Sequence, residues 1–365
     1  MLLIGCGFFG SSQDKYNDTI PFRDDLGLII IPISFNGVEK EFAFDTGAQL
    51  SVGFSWIKEE LKKTRKTNTI TSSSGLRTKA RFYKSDSVNL GGARITKHRL
   101  LGVPDSAIFS CFNLDGILGM DIIENFNWTI NYEDNYLIMH SATYVPEMVK
   151  EFYEIDFSYG NRKPSIYSKV QGQRVKFLWD TGAVYSDINS KQIEPSGDNI
   201  RKRALYSSFF DVNGIRNQTK SLELFVPDNQ TGQVTLTSIF DYSNKSTKMG
   251  NAQWKDNTLF FSANQSSLYS QKQFITEERL TYDCSFVIEN GKIIVAKVFQ
   301  DSEAWGLGIR MGDEVKSLND RSFQEFCSLA KFTIEMHDND ENITVRFANG
   351  TTLVLQKKAV FTEIN

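Results

Sequence analysis

Two segments of the chain carry the alternation of apolar and polar residues that is typical of β-strands. Before Asp45, two alternating runs are separated by Asn36-Gly37, a dipeptide that favours a hairpin turn. Before Asp180, two similar runs are separated by Gln171-Gly172. The pattern predicts two β-hairpins, each leading into a loop, and the aromatic content of 13% also favours a strand-rich protein.

The two segments are copies of one another. At an offset of 135 residues (180 − 45), FNGVEKEFAFDTGAQLS aligns with VQGQRVKFLWDTGAVYS. The aligned positions include Gly37 with Gly172, Ser51 with Ser186 and the whole of Asp-Thr-Gly-Ala. A single Asp-Thr-Gly is a weak motif, since Asp and Gly are common in turns. Two copies in matched contexts indicate a duplicated unit with a shared role.

The composition argues against several classes of binding and catalytic site. The 365 residues predict two or three domains, and a net charge of −3 gives no global basic field to attract nucleic acid or anionic lipid. The four cysteines have no metal-binding spacing, and the three histidines are isolated, which predicts no metal and no cofactor. Buried or free thiols are the expected state of the cysteines. Any catalysis by this protein is therefore expected to use carboxylate side chains.

The paired motifs resemble the aspartic peptidases, and the segment from Leu26 to Met139 is similar to their bacterial retropepsin-like branch. This segment adds DGILGMD at 115–121 and NWTINYEDNYLIM at 127–139. The resemblance implies an all-β fold with two retropepsin-like β-barrel lobes, at 21–145 and 146–272. In the second lobe, Lys248–Asn251 is the nearest counterpart of the Ile-Leu-Gly element.

The resemblance also implies a catalytic pair, Asp45 and Asp180, one from each lobe. The residues expected to support the pair are Thr46, Gly47, Ala48, Thr181, Gly182 and Ala183. A polar stretch at 67–79 falls where the family has its substrate-covering flap, with Ser73, Ser74 and Gly75 at the tip. The alternatives are a plain turn at each Asp-Thr-Gly and a solvated hairpin without substrate contacts.

Residues 273–365 resemble a PDZ domain, most specifically at 304–319. The resemblance implies a peptide-binding loop at Cys284, Ser285 and Phe286 and a groove helix at 322–332. Asp283 departs from the pattern, because a carboxylate there would repel the carboxylate of a bound peptide. A module docked on the lobes or on another subunit is the alternative.

The first 20 residues are expected to be a leader and tether. Leu3-Ile4-Gly5-Cys6 resembles the end of a bacterial lipoprotein signal, which implies lipidation of Cys6, membrane anchoring and a place in the bacterial cell envelope. The apolar stretch is shorter than a signal requires. Either translation begins further upstream than Met1, or the match is accidental.

The sequence thus favours a monomeric aspartic endopeptidase that acts on a peptide or protein substrate. One alternative is a non-catalytic peptide-binding or scaffold protein, and another is a homodimer that uses Asp45 from two chains. Ala48 and Ala183 stand where pepsin-like relatives carry a hydroxyl, so we expect activity between mildly acidic and near-neutral pH.

Overall fold

Strands form most of the protein, and the all-β fold expected from the sequence is confirmed. The computed structural model describes residues 17–24, 27–71, 77–105, 107–196, 200–210, 216–243, 246–339 and 341–361. Its α-helices are α1 (Ile57–Glu60), α2 (Ala107–Cys111), α3 (Met120–Ile123), α4 (Glu303–Gly306) and α5 (Phe326–Asp338), and two short 3₁₀ helices lie at Glu147–Glu151 and Asn251–Trp254. None of these helices has the length and apolar character needed to span a membrane.

The first lobe, up to residue 145, is built around a nine-stranded sheet with the order β5-β6-β9-β4-β10-β3-β2-β7-β8. The strands of this half are β1 (Asn17–Pro21), β2 (Ile30–Phe35), β3 (Val38–Phe44), β4 (Val52–Gly53), β5 (Lys62–Thr71), β6 (Arg77–Lys84), β7 (Ser87–Leu90), β8 (Ala93–Thr96), β9 (Arg99–Gly102), β10 (Gly116–Leu118), β11 (Phe126–Asn131) and β12 (Tyr136–Ser141). The predicted hairpin at Asn36-Gly37 joins β2 to β3, and both residues have the positive φ that such a turn requires.

The second lobe, residues 146–277, repeats the hairpin at Gln171-Gly172. Its strands are β13 (Tyr153–Glu154), β14 (Phe157–Gly160), β15 (Lys163–Val170), β16 (Gln173–Trp179), β17 (Ser186–Asn189), β18 (Arg201–Phe210), β19 (Arg216–Thr231), β20 (Val234–Ser243), β21 (Lys248–Met249), β22 (Thr258–Ser262), β23 (Ser267–Ser270) and β24 (Phe274–Thr276). The sequence assigns residues 273–277 to the C-terminal domain, but β24 pairs with β20 of the second lobe.

A six-stranded sheet joins the two lobes. Its order is β1-β12-β11-β22-β23-β13, so each lobe supplies three strands. At the centre β11 pairs antiparallel with β22, and Trp128 lies opposite Phe261. The Trp128 ring packs edge-on against Phe44, and Phe261 packs in the same way against Trp179. Each of these two core residues, Phe44 and Trp179, immediately precedes a predicted catalytic aspartate.

The predicted tether is shorter than expected, because residues 17–20 belong to this joining sheet. Strand β1 pairs with β12 from Asn17↔His140 to Pro21↔Tyr136. Ile20 is buried there in the core that the lobes share. Burial of this apolar side chain and the strand hydrogen bonds hold the segment on the lobe, although its composition is polar.

The C-terminal module, residues 280–361, has a hydrophobic core of its own. Its strands are β25 (Leu280–Thr281), β26 (Cys284–Glu289), β27 (Lys292–Phe299), β28 (Glu314–Leu318), β29 (Ile343–Phe347), β30 (Thr352–Leu355) and β31 (Lys358–Ala359). The expected helix at 322–332 is observed as α5 at Phe326–Asp338, and α5 packs against β26.

The C-terminal module extends the second lobe's sheet. Strand β27 pairs antiparallel with β18, and Leu205 lies opposite Phe299. The Tyr206 ring stacks on Trp305 with centroids 5.4 Å apart. By the 135-residue offset, the hairpin of β18 and β19 corresponds to the hairpin of β5 and β6 in the first lobe. The module therefore covers one edge of the second hairpin, because a strand is paired to it.

A disulfide between Cys111 and Cys327 joins the module to the first lobe. Cys111 ends α2, Cys327 lies in the first turn of α5, and the two helices pack together. The expectation that all the cysteines are thiols is wrong for this pair, because the fold brings together residues 216 positions apart. Cys284 is a buried free thiol.

Removing the disulfide tests this arrangement. Because the crosslink closes a long loop, Cys111→Ser/Cys327→Ser should lower the free energy of unfolding by about 2 to 4 kcal/mol. Urea unfolding with and without a thiol reductant measures the change. The reductant should destabilise the wild type and leave the double variant unaffected. An equal response of both proteins would contradict the crosslink.

Candidate active site

Each predicted catalytic aspartate follows a buried strand that is held by a second, parallel strand. Asp45 follows β3, and its backbone N–H donates to the Leu118 carbonyl at 2.9 Å. Asp180 follows β16, and its N–H donates to the Met249 carbonyl at 3.0 Å. The two loops are therefore built in the same way.

The repeated serines explain why Lys248–Asn251 is the second lobe's counterpart of the Ile-Leu-Gly element. In the first lobe the Gly119 N–H donates to Ser51 Oγ at 3.0 Å. In the second lobe the Gly250 N–H donates to Ser186 Oγ at 3.1 Å. The bonding is preserved although the sequence of the element is not, because it needs only the glycine and the serine that both lobes share.

The two loops are braced against each other by Thr46 and Thr181, both of which are buried. Thr46 Oγ1 donates to the Trp179 carbonyl at 2.7 Å, and Thr181 Oγ1 donates to the Phe44 carbonyl at 2.6 Å. Each hydroxyl also accepts from the backbone N–H of the opposite threonine at 3.0 Å. Four hydrogen bonds thus tie the lobes together beside the aspartates.

Gly47 and Gly182 allow the carboxyl groups to approach. A Cβ atom added at Gly47 would overlap the carboxylate of Asp180, and one added at Gly182 would overlap that of Asp45. Any side chain at these positions would displace the opposite carboxylate. The structure thus places the carboxyl groups of Asp45 and Asp180 side by side within one chain, each against the glycine of the opposite loop.

The environment of the pair favours retention of a proton. Asp45 Oδ1 accepts from the N–H groups of Gly47 at 2.8 Å and Ala48 at 3.0 Å, and Asp180 Oδ1 accepts from Gly182 at 3.1 Å. Burial, followed by the charge of Asp180, raises the pKa of Asp45 above its usual range. Burial also raises the pKa of Asp180, while the positive charge of Lys248 opposes this rise.

Sequence reasoning gave no role in the site to Lys248. Its Nζ lies 3.9 Å from Asp180 Oδ2 and 3.6 Å from Asp187 Oδ2. The signal was available in the sequence, because Lys248 stands in the place of the apolar Ile117 when Lys248–Asn251 is matched to the Ile-Leu-Gly element. A charge that replaces an apolar residue next to a motif marks a difference between the two copies.

The predicted flap tip, Ser73, Ser74 and Gly75, lies outside the described residues. The strands that lead to it, β5 and β6, form an antiparallel hairpin that is shifted in register between Lys63 and Thr67. Strand β6 also pairs with β9. The base of this hairpin is therefore part of the first lobe's sheet.

The predicted peptide-binding loop lies at the start of β26. Cys284 is buried, whereas Ser285 and Phe286 are half-buried. The neighbouring Asp283 carboxylate lies 3.5 Å from Arg203 Nη2 and 3.8 Å from Lys358 Nζ. Its negative charge is thus compensated by two cations, one of them from the second lobe.

Cys6 lies outside the described residues. Among the residues that the structure covers, no group of three His, Cys, Asp or Glu side chains could hold a metal ion.

Comparison with known proteins supports the assignment of the first lobe. A family model described as "Aspartyl protease" matches residues 31–122, which include Asp45 and the Ile-Leu-Gly element. No curated protein matches the chain. A crystal structure of edgp is similar with a TM-score of 0.43 and 10% identity, over 72% of this chain and 96% of that one. The matched segment of the first lobe is thus similar to aspartyl proteases.

The brace between the lobes can be tested through stability. Thr181→Val leaves the Phe44 carbonyl and the Thr46 N–H without buried partners, and should lower the free energy of unfolding by about 2 to 4 kcal/mol. Urea unfolding measures the loss, and Thr181→Ser should recover most of it. Thr231→Val is the matched control, because the buried Thr231 hydroxyl has no hydrogen-bond partner within the described structure. Equal effects at both threonines would contradict the brace.

Proposed function

We propose that the protein is an aspartic endopeptidase in which Asp45 and Asp180 hydrolyse a peptide bond with an activated water. The observation that carries the proposal is the pair of adjacent carboxyl groups, held in one chain by the Thr46 and Thr181 brace. The aspartyl protease match over residues 31–122 supports the same reaction class. Two carboxyl groups this close share one proton, so that one is a base and the other an acid.

The shared proton allows the reaction to proceed without a covalent intermediate. The ionised carboxylate takes a proton from the water while the water oxygen bonds to the peptide carbonyl carbon. The protonated carboxyl gives its proton to the carbonyl oxygen. A diol results, and the proton has moved across the pair. When the C–N bond breaks, the carboxyl that took a proton from the water gives it to the peptide nitrogen. The other carboxylate takes a proton from a hydroxyl of the diol, which restores the starting protonation of the pair.

A peptide-binding role for the C-terminal module is the second candidate function. Within the described structure β26 pairs with β27 alone, so one edge of β26 has no partner strand. An extended peptide would add to such an edge, as in PDZ domains, with the loop at 284–286 near its end. The compensated charge of Asp283 removes the repulsion expected from the sequence. In the scaffold alternative this binding would be the whole function.

We also propose that the protein acts in an oxidising compartment such as the bacterial cell envelope. The Cys111–Cys327 disulfide supports this, because stable disulfides are rare in reducing compartments. Anchoring through a lipid on Cys6 rests on the sequence resemblance alone. A monomer is favoured, since one chain supplies both carboxyl groups.

Substitution of each aspartate tests the catalytic proposal. Because the carboxyl groups act as a unit, Asp45→Asn and Asp180→Asn should each lower kcat/KM for an unfolded protein substrate by about a thousandfold or more. Asp256→Asn is the matched control, since Asp256 is exposed and its positive φ suits Asn. Near-full activity of Asp180→Asn would favour the homodimer built on Asp45. A wild type that binds peptides without cleaving them would favour the scaffold.

The pH dependence of cleavage follows from the raised pKa of Asp45. The singly protonated pair is the active form, and it is lost on the alkaline side only as pH rises through that raised pKa. Activity should therefore persist toward neutral pH, and Ala48→Ser should move the profile to lower pH by adding a donor to the carboxylate. Initial rates between pH 3 and pH 9 provide the measurement. An optimum near pH 2 to 3 would contradict this account.

A further inference from the structure

Lys248 occupies a position at which the two lobes differ. Strand β21 pairs parallel with β16 and aligns Lys248 with Leu178, just as β10 pairs parallel with β3 and aligns Ile117 with Ala43. Lys248 and Ile117 are therefore structural counterparts. Among the residues that the structure describes, only the second lobe places a cation next to its aspartate, so the two members of the carboxyl pair have different surroundings.

The Lys248 ammonium lies between two carboxylates. Its Nζ is 3.9 Å from Asp180 Oδ2 and 3.6 Å from Asp187 Oδ2, and the side chain is 22% exposed. Ser246 Oγ donates to Asp187 Oδ2 at 2.8 Å, which orients this second carboxylate. A charge pair that is this close and largely shielded from water is stronger than an exposed one.

The remaining charged groups nearby are compensated elsewhere. Asp187 on β17 lies opposite Asp241 on β20 in a parallel pair. Asp241 Oδ1 accepts from the Arg279 guanidinium at 2.7 Å, and Arg279 is buried. Lys248 thus remains the cation for Asp180 and Asp187, while Asp45 approaches Asp180 from the first lobe.

This asymmetry determines where the shared proton resides. Burial and then the charge of Asp180 raise the pKa of Asp45, whereas for Asp180 the positive charge of Lys248 opposes the rise that burial causes. Asp45 accepts hydrogen bonds from two backbone N–H groups and Asp180 from one, so the backbone donors by themselves favour an ionised Asp45. A full positive charge outweighs one additional dipole at these distances.

We propose that Lys248 is a positioning residue that keeps Asp180 ionised and the shared proton on Asp45. The inference rests on the proposed peptidase function and deepens it, because it makes Asp180 the base that activates water and Asp45 the acid. By holding Asp180 ionised, Lys248 also extends activity to lower pH. Lys248 acts through Asp180 and needs no contact with the substrate.

The pH profile of kcat/KM in Lys248 variants tests the proposal. Lys248→Met removes the charge and keeps an unbranched side chain. Its acid limb should move upward by about one pH unit, so that kcat/KM at pH values below the limb falls about tenfold. Lys248→Arg should restore the wild-type limb. Lys292→Met is the control, since Lys292 is exposed and paired with Glu314 in the C-terminal module.

Asp187→Asn gives a shift in the opposite direction. Without the Asp187 charge, Lys248 acts on Asp180 alone, and the acid limb should move to lower pH. If Lys248 had a purely structural role, both variants would lose activity or stability, and the acid limbs of their pH profiles would not move in opposite directions. Superimposable profiles of wild type, Lys248→Met and Asp187→Asn would overturn the proposal and leave the peptidase function intact.

A readout without turnover separates the inference from the function. In protein labelled with ¹³C at the aspartate carboxyl carbons, the resonance assigned through Asp180→Asn should titrate at higher pH in Lys248→Met than in wild type. An unchanged titration would refute the role of Lys248. Absence of cleavage at every pH, with the titration shifted as expected, would refute the peptidase function alone.

Discussion

The four hydrogen bonds made by Thr46 and Thr181 are the constraint on which the rest of the structure depends. Two carboxyl groups held next to each other destabilise a fold unless they share a proton and the backbone around them is held firmly. The brace provides that hold, because each threonine satisfies backbone groups of the opposite lobe. Gly47 and Gly182 then leave the space into which the opposing carboxylates fit.

The remainder of the fold supports this contact from both sides. Below it, the six-stranded sheet joins the lobes and buries Trp128 and Trp179 directly behind the braced loops. At the periphery, the C-terminal module is linked to both lobes, by strand pairing to β18 and by the disulfide to Cys111. The module is therefore tied to both lobes, and in the part of the chain that the structure describes one edge of β26 has no partner strand.

Local patterns in the sequence were sufficient for the two hairpins and the repeated loops, because each depends on nearby residues such as Asn36-Gly37. The Cys111–Cys327 crosslink and the tie between β18 and β27 were not predictable, since they depend on how distant segments pack. The tether prediction was wrong at residues 17–20 because the segment is polar apart from Ile20, and its composition did not indicate that Ile20 is buried in the core. Lys248 was visible in the sequence, but its charge acquires meaning only once it lies beside Asp180.

Titration with a peptide in which a hydroxyl-bearing group replaces the scissile bond tests the central claim most directly, because such a group binds between two carboxyl groups that share a proton. Calorimetry should give one binding site per chain, and either Asp45→Asn or Asp180→Asn should weaken the affinity by a similar large factor. One site for every two chains, or binding unaffected by Asp180→Asn, would contradict a catalytic pair formed within a single chain.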